Sequence, residues 1–484
     1  MLRNEWNRPR YHFTPPTNWM NDPNGLLFDS ERYHLYYQHN PHGTAWGHMT
    51  WGHAVSPDLV HWTDLPNAIH EDPVAGYTIF SGSAVLDRGN TSGLGDPATP
   101  GGPLVAIYTA DYAGPPRLED VHIAFSNDRG LTFTQYACNP VIHVGDPKFG
   151  DPKVFWHDQT GQWIMVNILH YDQGRVVIYG SPNLREWREL AGFAAPDEAP
   201  GMWECPDLFP LAVDGDPAQT RWLLKVNDPR HPQHFDTRYF VGDFDGRAFQ
   251  RDASIPAITP EVGPNYAEVT YNGIPPADGR RILMGWIRQK PSDTRQWTGM
   301  QCIPRVLTLR SSPDGPRLCQ SPVAELAALR RESVVLATET LDGDGPSLAG
   351  RGLRTSELEI AAEFAPGDAT ECGFRLRLGD DQVAQSEATV GYAAEPGRLF
   401  VRIAGQDELS LPLTPAAGMV TLRVFIDRGV IDVFGGHGEA ALTALLEPTP
   451  VCADVRPYAQ GRGEIVSGKA WELSWADPKG LRDL

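Results

Sequence analysis

Short apolar segments and turn signals alternate through the first 320 residues of the chain. Five segments open with small, acidic or proline residues, and each is followed by a second, more apolar segment. A third segment often ends in a turn and an aromatic side chain. Runs of this length, bounded by glycine, proline, asparagine and aspartate, predict β-strands. The five opening segments are 21–27, 81–86, 150–155, 204–209 and 265–270.

The period of this pattern predicts a repeat architecture. Asp22, Ser81, Asp151, Glu204 and Tyr266 mark corresponding points, which are 59, 70, 53 and 62 residues apart. Five units of that length, each with at least three strands, predict a five-bladed β-propeller. The innermost strands of a propeller surround one axis, so we expect the polar residues that open them to meet at one end of it.

The spacing of apolar positions changes after about residue 320. Apolar positions at helical spacing in 322–331 predict a connecting helix within a linker at 321–334. Alternation with a period of two returns further on, for example in 358–364 and 420–426, and predicts a sandwich of two sheets. We therefore expect an all-β chain, with a five-bladed β-propeller catalytic domain at 1–320 followed by a C-terminal β-sandwich domain at 335–484.

Composition and charge limit the classes of partner. The net charge of −20 argues against nucleic acid, because that binding depends on neutralising phosphates with lysine and arginine. No apolar stretch reaches 18 residues, so we expect no membrane partner. Fourteen tryptophans suit sugar binding, because sugar rings have apolar faces. The start of the chain has no signal-peptide pattern, which predicts a cytoplasmic protein, or an exported one if a signal was trimmed.

Metal and cofactor motifs are missing from the sequence. The six cysteines lie at least 17 residues apart, without zinc spacing, and are expected to be free thiols. His39, His42, His48 and His53 are close in sequence but do not form an HExxH motif. The chain also has no GxSxG, P-loop or GxGxxG motif. We predict no metal and no cofactor.

Three carboxylates are candidates for sugar chemistry, which needs carboxyl groups in different protonation states. Asp22 precedes a proline that keeps it out of a helix, and it is the candidate nucleophile. Glu204 lies between a tryptophan and a cysteine, and such apolar company raises the pKa of a carboxyl, as a general acid requires. Asp151 repeats the Asp-Pro pair of Asp22 and would stabilise positive charge on the ring. Taken alone, each stretch also fits a plain turn or an exposed strand position.

Together these stretches resemble glycoside hydrolase family 32, the invertase, levanase, inulinase and sucrose-6-phosphate hydrolase family. The most specific piece is Trp19-Met-Asn-Asp-Pro-Asn-Gly25, and 203–209 and 425–434 support it. The resemblance implies retaining hydrolysis of terminal β-fructofuranosyl bonds by double displacement. It assigns Asp22 as nucleophile, Glu204 as acid/base and Asp151 as transition-state stabiliser.

The resemblance also implies how a fructose-containing oligosaccharide would be bound. The candidate substrate-binding residues are Asn21, Gln38, Trp46, Phe80, Ser81, Trp19, Tyr266 and Trp286.

Three positions depart from the family pattern. Gly150 stands where the family usually has the arginine of Arg-Asp-Pro, 119–121 replaces a usual glutamine, and 261–267 is a changed form of a later motif. The preferred fructoside, the linkage and the oligomeric state are therefore left open. The alternatives are a fructosyltransferase, a related hydrolase acting on another furanose, and a catalytically silent sugar-binding homologue.

Overall fold

The computed structural model describes residues 5–98, 101–169, 174–195, 201–229, 236–313, 315–378, 386–446 and 453–474. The chain forms two compact units. One contains 14–259 and 265–316, and the other contains 1–13, 260–264 and 317–484. The first is a five-bladed propeller and the second a β-sandwich, which confirms the predicted all-β fold class.

The first three blades each contribute four consecutive antiparallel strands. Blade 1 consists of β1 (Asn18–Phe28), β2 (Tyr33–Asn40), β3 (Thr50–Ser56) and β4 (Thr63–Ile69). Blade 2 consists of β5 (Tyr77–Leu86), β6 (Leu104–Tyr112), β7 (Leu118–Ser126) and β8 (Thr134–Gln135). Blade 3 consists of β9 (Phe149–His157), β10 (Gln162–Leu169), β11 (Arg175–Ser181) and β12 (Arg188–Ala194).

The chain of the last two blades also supplies the strand that closes the propeller. Blade 4 consists of β13 (Glu204–Val213), β14 (Asp216–Asp228), β15 (Asp236–Phe244) and β16 (Phe249–Arg251). After β17 (Glu261–Val262), blade 5 is built from β18 (Asn265–Thr270), β19 (Arg281–Ile287), β21 (Met300–Gln301) and β22 (Arg305–Arg310). The intervening β20 (Trp297–Thr298) pairs in parallel with the start of β1, which joins the last blade to the first.

Burial explains why the second strand of a blade is richer in apolar and aromatic residues than the outermost strand. All residues of β2 are buried, and so are all but the last of β6. The outermost β4 and β12 are largely exposed or half-buried. A strand covered on both faces needs apolar side chains at successive positions, whereas a rim strand does not.

Every innermost strand carries a β-bulge at the same place. In each blade, two residues of the innermost strand face a single residue of the second strand. A bulge bends the strand and redirects its side chains, which is how one end of a propeller axis gathers them. The bulged pairs are Asn21–Asp22, Phe80–Ser81, Asp151–Pro152, Cys205–Pro206 and Ala267–Glu268.

This register corrects the predicted equivalence of the two Asp-Pro pairs. Asp22 is the second residue of its bulge, whereas Asp151 is the first residue of its own. Asp22 also lies inside an eleven-residue strand, so the plain turn that its sequence allowed is wrong. Gly25 takes a left-handed conformation within that strand (φ 54°), and a Cβ there would lie 2.6 Å from the Tyr36 ring.

Asn272 connects four innermost strands beyond the bulges. Its backbone N–H donates to the Leu26 carbonyl in blade 1. Its side-chain amide donates to the carbonyls of Ala84 (2.8 Å) in blade 2 and Val154 (2.9 Å) in blade 3. Asn272 itself follows β18 of blade 5 and is buried. A single side-chain amide therefore donates hydrogen bonds to buried carbonyls that the bulged strand pairings leave without a donor.

The second unit contains β17 and the strands that follow β22. These are β23 (Arg317–Pro322), β24 (Arg330–Leu336), β25 (Glu339–Asp344), β26 (Glu357–Ala365), β27 (Glu371–Leu378), β28 (Ser386–Ala393), β29 (Arg398–Ile403), β30 (Leu409–Pro412), β31 (Val420–Asp427), β32 (Val430–Gly435), β33 (Ala440–Leu445) and β34 (Ala453–Leu473). The first part of β34 pairs with β27 and the last part with β26, so this long strand belongs to both sheets. The inward side chains of the two sheets form one apolar core.

The predicted connecting helix is shorter and tighter than expected. The structure has a 3₁₀-helix at Ala324–Leu329, and Arg330 already begins a strand. Leu326 and Leu329 are its buried residues, and their spacing of three matches a 3₁₀ turn. A second 3₁₀-helix covers Ala349–Arg351.

The N-terminal segment belongs to the sandwich unit, whereas the predicted division assigned it to the propeller. The backbone N–H groups of Arg10, Tyr11 and His12 all donate to the Asp427 carboxylate. The His12 ring bonds to Asp427 and Asp432, at 2.9 Å each. Residues 260–264 join the same unit because β17 pairs with β33. Contacts between distant parts of the chain set these memberships, and local sequence pattern does not show them.

Two further predictions concern thiols and membranes. Cys138, Cys205, Cys302, Cys319 and Cys372 are free thiols, and Cys452 lies outside the described residues. Among the residues that the structure covers, no helix has the length and apolar character needed to cross a membrane.

Candidate active site

A narrow channel runs between the five innermost strands and is lined by the bulges. Each blade contributes a residue to its wall: Asp22, Ser81, Asp151, Cys205 and Ala267. Glu204 precedes the blade 4 bulge directly, and its carboxyl group is close enough to Asp151 and Asp22 for their charges to raise its pKa. The structure therefore brings together the three carboxylates that the sequence singled out.

Asp22 is held by one hydrogen bond at each oxygen. Ser81 donates its hydroxyl to Oδ2 (2.6 Å), and Asn21 donates its amide to Oδ1 (3.1 Å). The Trp19 indole N–H donates in turn to the Asn21 carbonyl oxygen (2.7 Å), which fixes the amide. Burial raises the pKa of Asp22, while the bonds from Ser81 and Asn21 act in the opposite direction. These donors favour the ionised form that a nucleophile requires.

Asp151 is fixed by blade 4 although it belongs to blade 3. Its Oδ2 accepts the Cys205 backbone N–H (2.9 Å), and its own N–H donates to the Thr109 hydroxyl (3.0 Å). Asp151 and Cys205 both have left-handed backbones (φ 60° and 48°), a conformation that the bulges impose. Burial, followed by the charge of Asp22, raises the pKa of Asp151 to about 6.

Glu204 has the environment of a proton donor. Burial, followed by the charge of Asp151, raises its pKa to about 7, so it holds a proton at a pH where an ordinary glutamate has lost it. The Tyr266 hydroxyl donates a short hydrogen bond to Glu204 Oε2, and this bond lowers the pKa. Burial thus raises the pKa of all three carboxyl groups, and their titrations are coupled.

A buried lysine lies beneath the carboxylates. Lys225 is fully buried in β14, and its ammonium group donates to the backbone carbonyls of Cys205 and Glu268 and to the Asn227 side chain. Glu268 Oε2 lies 3.6 Å from this ammonium group and accepts hydrogen bonds from Asn227 and Thr237. The Lys225 charge lowers the pKa of Asp22 and of Asp151, which partly offsets their burial.

Aromatic side chains surround the carboxylates. The Trp19 and Trp286 rings meet edge to face with centroids 5.9 Å apart, and both belong to one apolar cluster with Tyr266 and Cys205. Phe80 packs against the same cluster. Such an environment keeps water away from the carboxylates and offers ring faces to a sugar.

Gln38 lies opposite the bulge that carries Asp22. It is buried and donates its side-chain amide to the Ile79 carbonyl (2.9 Å) in blade 2. In the structure Gln38 therefore positions strands β2 and β5 relative to each other.

An exposed rim extends from Phe80. The Trp46 indole is 59% exposed and meets the Phe80 ring at 6.0 Å. The Arg117 guanidinium lies 5.6 Å from the same ring, and its side chain is 49% exposed. Asp111 and Glu119 hold Arg117 at 2.6 and 3.0 Å. Trp46, Phe80 and Arg117 form a row that we call the rim.

The departures noted in the sequence occupy defined places. Gly150 pairs with Ile168 in blade 3, next to the bulge of Asp151. Glu119 accepts the Phe149 backbone N–H (2.9 Å) at its second oxygen, which links Arg117 to the strand that carries Asp151. Glu261 is buried in the other unit, where Gln320 donates to it (3.2 Å). Of the stretch 261–267, therefore, only the final residues, above all Tyr266, reach the active site.

Sequence reasoning missed several of these residues. Lys225 stands alone in an apolar run, and an isolated lysine within a buried strand was a usable signal. Thr109 and Arg117 gave no such signal, because their roles arise from pairings with Asp151 and with the Phe80 ring.

Comparisons with known proteins agree with this arrangement. The family model for the glycosyl hydrolases family 32 N-terminal domain matches residues 12–322, and that for the family's C-terminal domain matches 325–472. A levanase of Bacillus subtilis is 40% identical over 478 residues, which cover 94% of this chain and 68% of the levanase. An extracellular exo-inulinase of Aspergillus niger is 34% identical over 94% of this chain and 92% of its own length.

Solved structures are similar over nearly the whole length. The crystal structure of an exo-inulinase from Aspergillus awamori superposes with a TM-score of 0.87 at 31% identity and covers 98% of this chain and 99% of its own. A β-fructofuranosidase from Schwanniomyces occidentalis, complexed with fructosyl-erythritol, has a TM-score of 0.86 at 28% identity with the same coverage.

Proposed function

The chain belongs to glycosyl hydrolases family 32, and on that premise we propose that it hydrolyses terminal β-fructofuranosyl bonds with retention of configuration. The observation that carries this proposal is the meeting of three carboxyl groups, of which Glu204 has a pKa raised to about 7 and Asp22 has two hydrogen-bond donors. Glu204 keeps a proton to about pH 7, while Asp22 is stabilised as the anion by two donors. Double displacement needs this combination of one proton donor and one ionised nucleophile.

The first half-reaction cleaves the glycosidic bond. Glu204 gives its proton to the leaving oxygen while a carboxylate oxygen of Asp22 forms a bond to the anomeric carbon C2. The bonding pair leaves with the aglycone, and positive charge develops on the fructosyl ring. The Asp151 carboxylate, held by the Cys205 N–H, stabilises that charge.

The second half-reaction returns the enzyme to its starting state. Glu204, now ionised, takes a proton from water, and the oxygen of that water attacks C2. The ester bond to Asp22 breaks, fructose is released, and Glu204 is protonated again. Two inversions at C2 give net retention.

The relatives suggest fructans and sucrose as the substrates to test. They are named levanase, exo-inulinase and β-fructofuranosidase, so a fructose-containing oligosaccharide is the proposed substrate class. We infer that the rim of Trp46, Phe80 and Arg117 contacts the substrate, because it extends from Phe80, which packs against the aromatic cluster around the carboxylates. A product screen on sucrose, inulin and levan would rank them.

Substitution of the proton donor tests the proposal. Glu204→Gln should lower kcat/KM by about 10²–10⁴-fold, the usual contribution of a general acid. The matched control is Glu186→Gln, because Glu186 is an exposed glutamate of blade 3 and its loss should leave kcat/KM unchanged. Reaction in aqueous methanol should give methyl β-fructofuranoside. An α-product, or full activity of Glu204→Gln, would contradict the mechanism.

A further inference from the structure

Two exposed histidines and a glutamate meet on blade 1. His42 and His48 lie in the loop between β2 and β3, and Glu71 follows β4. His48 Nδ1 lies 3.1 Å from Glu71 Oε1, and the two imidazole rings are nearly perpendicular with centroids 5.2 Å apart. One ligand atom from each of the three residues lies within 4.8 Å of the others.

The loop that carries the histidines has an ordered backbone. Asn40 accepts the His42 N–H (2.8 Å) and donates its amide to the Ala45 carbonyl (2.8 Å). His48 adopts a left-handed conformation (φ 49°), which is uncommon for a residue other than glycine. The Glu71 N–H donates to the Thr50 hydroxyl, which fixes the strand end that presents the carboxylate.

We propose that His42, His48 and Glu71 bind one divalent transition-metal ion of the zinc class. Two imidazoles and one carboxylate are a ligand set that such ions prefer, and three protein ligands leave a position for water. Bonds of about 2.0–2.1 Å in a tetrahedron place ligand atoms about 3.4 Å apart. The observed spacing reaches this value by small rotations of exposed side chains, since the His48 side chain is 61% exposed.

The sequence alone did not indicate this site. The third ligand lies 23 residues after His48 and is brought to it by the pairing of β3 with β4. The alternative is an exposed His48–Glu71 ion pair that contributes little, with His42 adjacent by chance. That alternative predicts no specific affinity for a metal.

Metal binding would also affect the rim. Trp46 lies between His42 and His48 in the loop and contacts Phe80. An ion held by both histidines and by Glu71 ties the two sides of this loop to the end of β4. Backbone amides of residues 42–49 should then exchange more slowly with solvent in the presence of the ion.

Calorimetric titration of tag-free, chelator-treated full-length protein with Zn²⁺ tests the site. We expect one ion per chain, and at least tenfold weaker binding in both His42→Gln and His48→Gln. The matched control is His143→Gln, because His143 is also exposed (56%) and paired with a carboxylate, Asp120, at 2.7 Å. This variant should bind like the wild type.

Three results would overturn the proposal: no binding by the wild type, equal binding by all four proteins, or amide exchange in 42–49 that Zn²⁺ does not change. None of these readouts depends on fructoside hydrolysis, so the site and the proposed function can fail separately. All three substituted histidines are exposed and outside the catalytic machinery, so each variant is expected to fold.

Discussion

Removal of a single hydroxyl group tests the proton chemistry of the site. In Tyr266→Phe, Glu204 loses the hydrogen bond that lowers its pKa, while burial and the charge of Asp151 continue to raise it. A hydrogen bond to a charged group contributes about 1.5–3 kcal/mol, and each 1.4 kcal/mol corresponds to one pKa unit. The pKa of Glu204 should therefore rise by about 1–2 units above its value of about 7.

The direction in which the pH profile shifts follows from the protonation state in which Glu204 is active. A general acid must be protonated, so activity is present below the pKa of Glu204 and is lost as pH rises through it. In wild type the alkaline limb of kcat/KM should lie near pH 7, and Tyr266→Phe should move it upward by about 1–2 units. The acid limb reports Asp22 and Asp151 and should stay in place.

The assay is the pH dependence of kcat/KM for sucrose or a short inulin oligosaccharide. Tyr271→Phe is the matched control, because Tyr271 is a buried tyrosine of the same blade whose hydroxyl bonds to the Met284 sulfur. An alkaline limb that stays in place, or moves to lower pH, would refute the reasoning. A uniform fall in activity at every pH would mean that Tyr266 only supports the structure.

Three further outcomes follow from other contacts. Arg117→Gln should raise KM for an oligofructoside roughly tenfold, the effect of one charged hydrogen bond, with kcat nearly unchanged. Arg129→Gln should leave KM as it is, because Arg129 is equally exposed (47%) and paired with Asp29 and Glu31 in the propeller. Asn272→Ala should destabilise the propeller by about 3 kcal/mol in denaturant titration, because two buried carbonyls lose their donor. Burial lowers the pKa of His12, but its bonds to Asp427 and Asp432 raise that pKa to about 9. The charged ring therefore contributes about 3 kcal/mol to the free energy of unfolding, and this contribution is complete below pH 6.5 and lost as pH rises through 9. The thermal unfolding midpoint of wild type should fall across that range, whereas His12→Asn should start lower and change little.

The sequence predicted the architecture because strand patterns are local and repeat. Alternation, turn residues and a regular spacing of about 60 residues suffice to predict five blades and a sandwich. The sequence did not predict to which unit the N-terminal segment belongs. Residues 10–12 bond to the Asp427 carboxylate of the sandwich unit, more than 400 positions away, and no local pattern encodes these bonds. The Arg117 side chain was missed for the same reason, because its partners come from different strands.

The one-residue offset between Asp22 and Asp151 shows what the bulges contribute to the site. In a regular strand, adjacent positions point to opposite faces, so residues offset by one would not meet on one axis. A bulge places two successive residues opposite one partner, which lets either of them turn toward the channel. Blade 1 uses the second position for Asp22, blade 3 uses the first for Asp151, and blade 4 presents Glu204 directly before its bulge. Site residues of different blades can therefore differ by about one position in their alignment to the bulge.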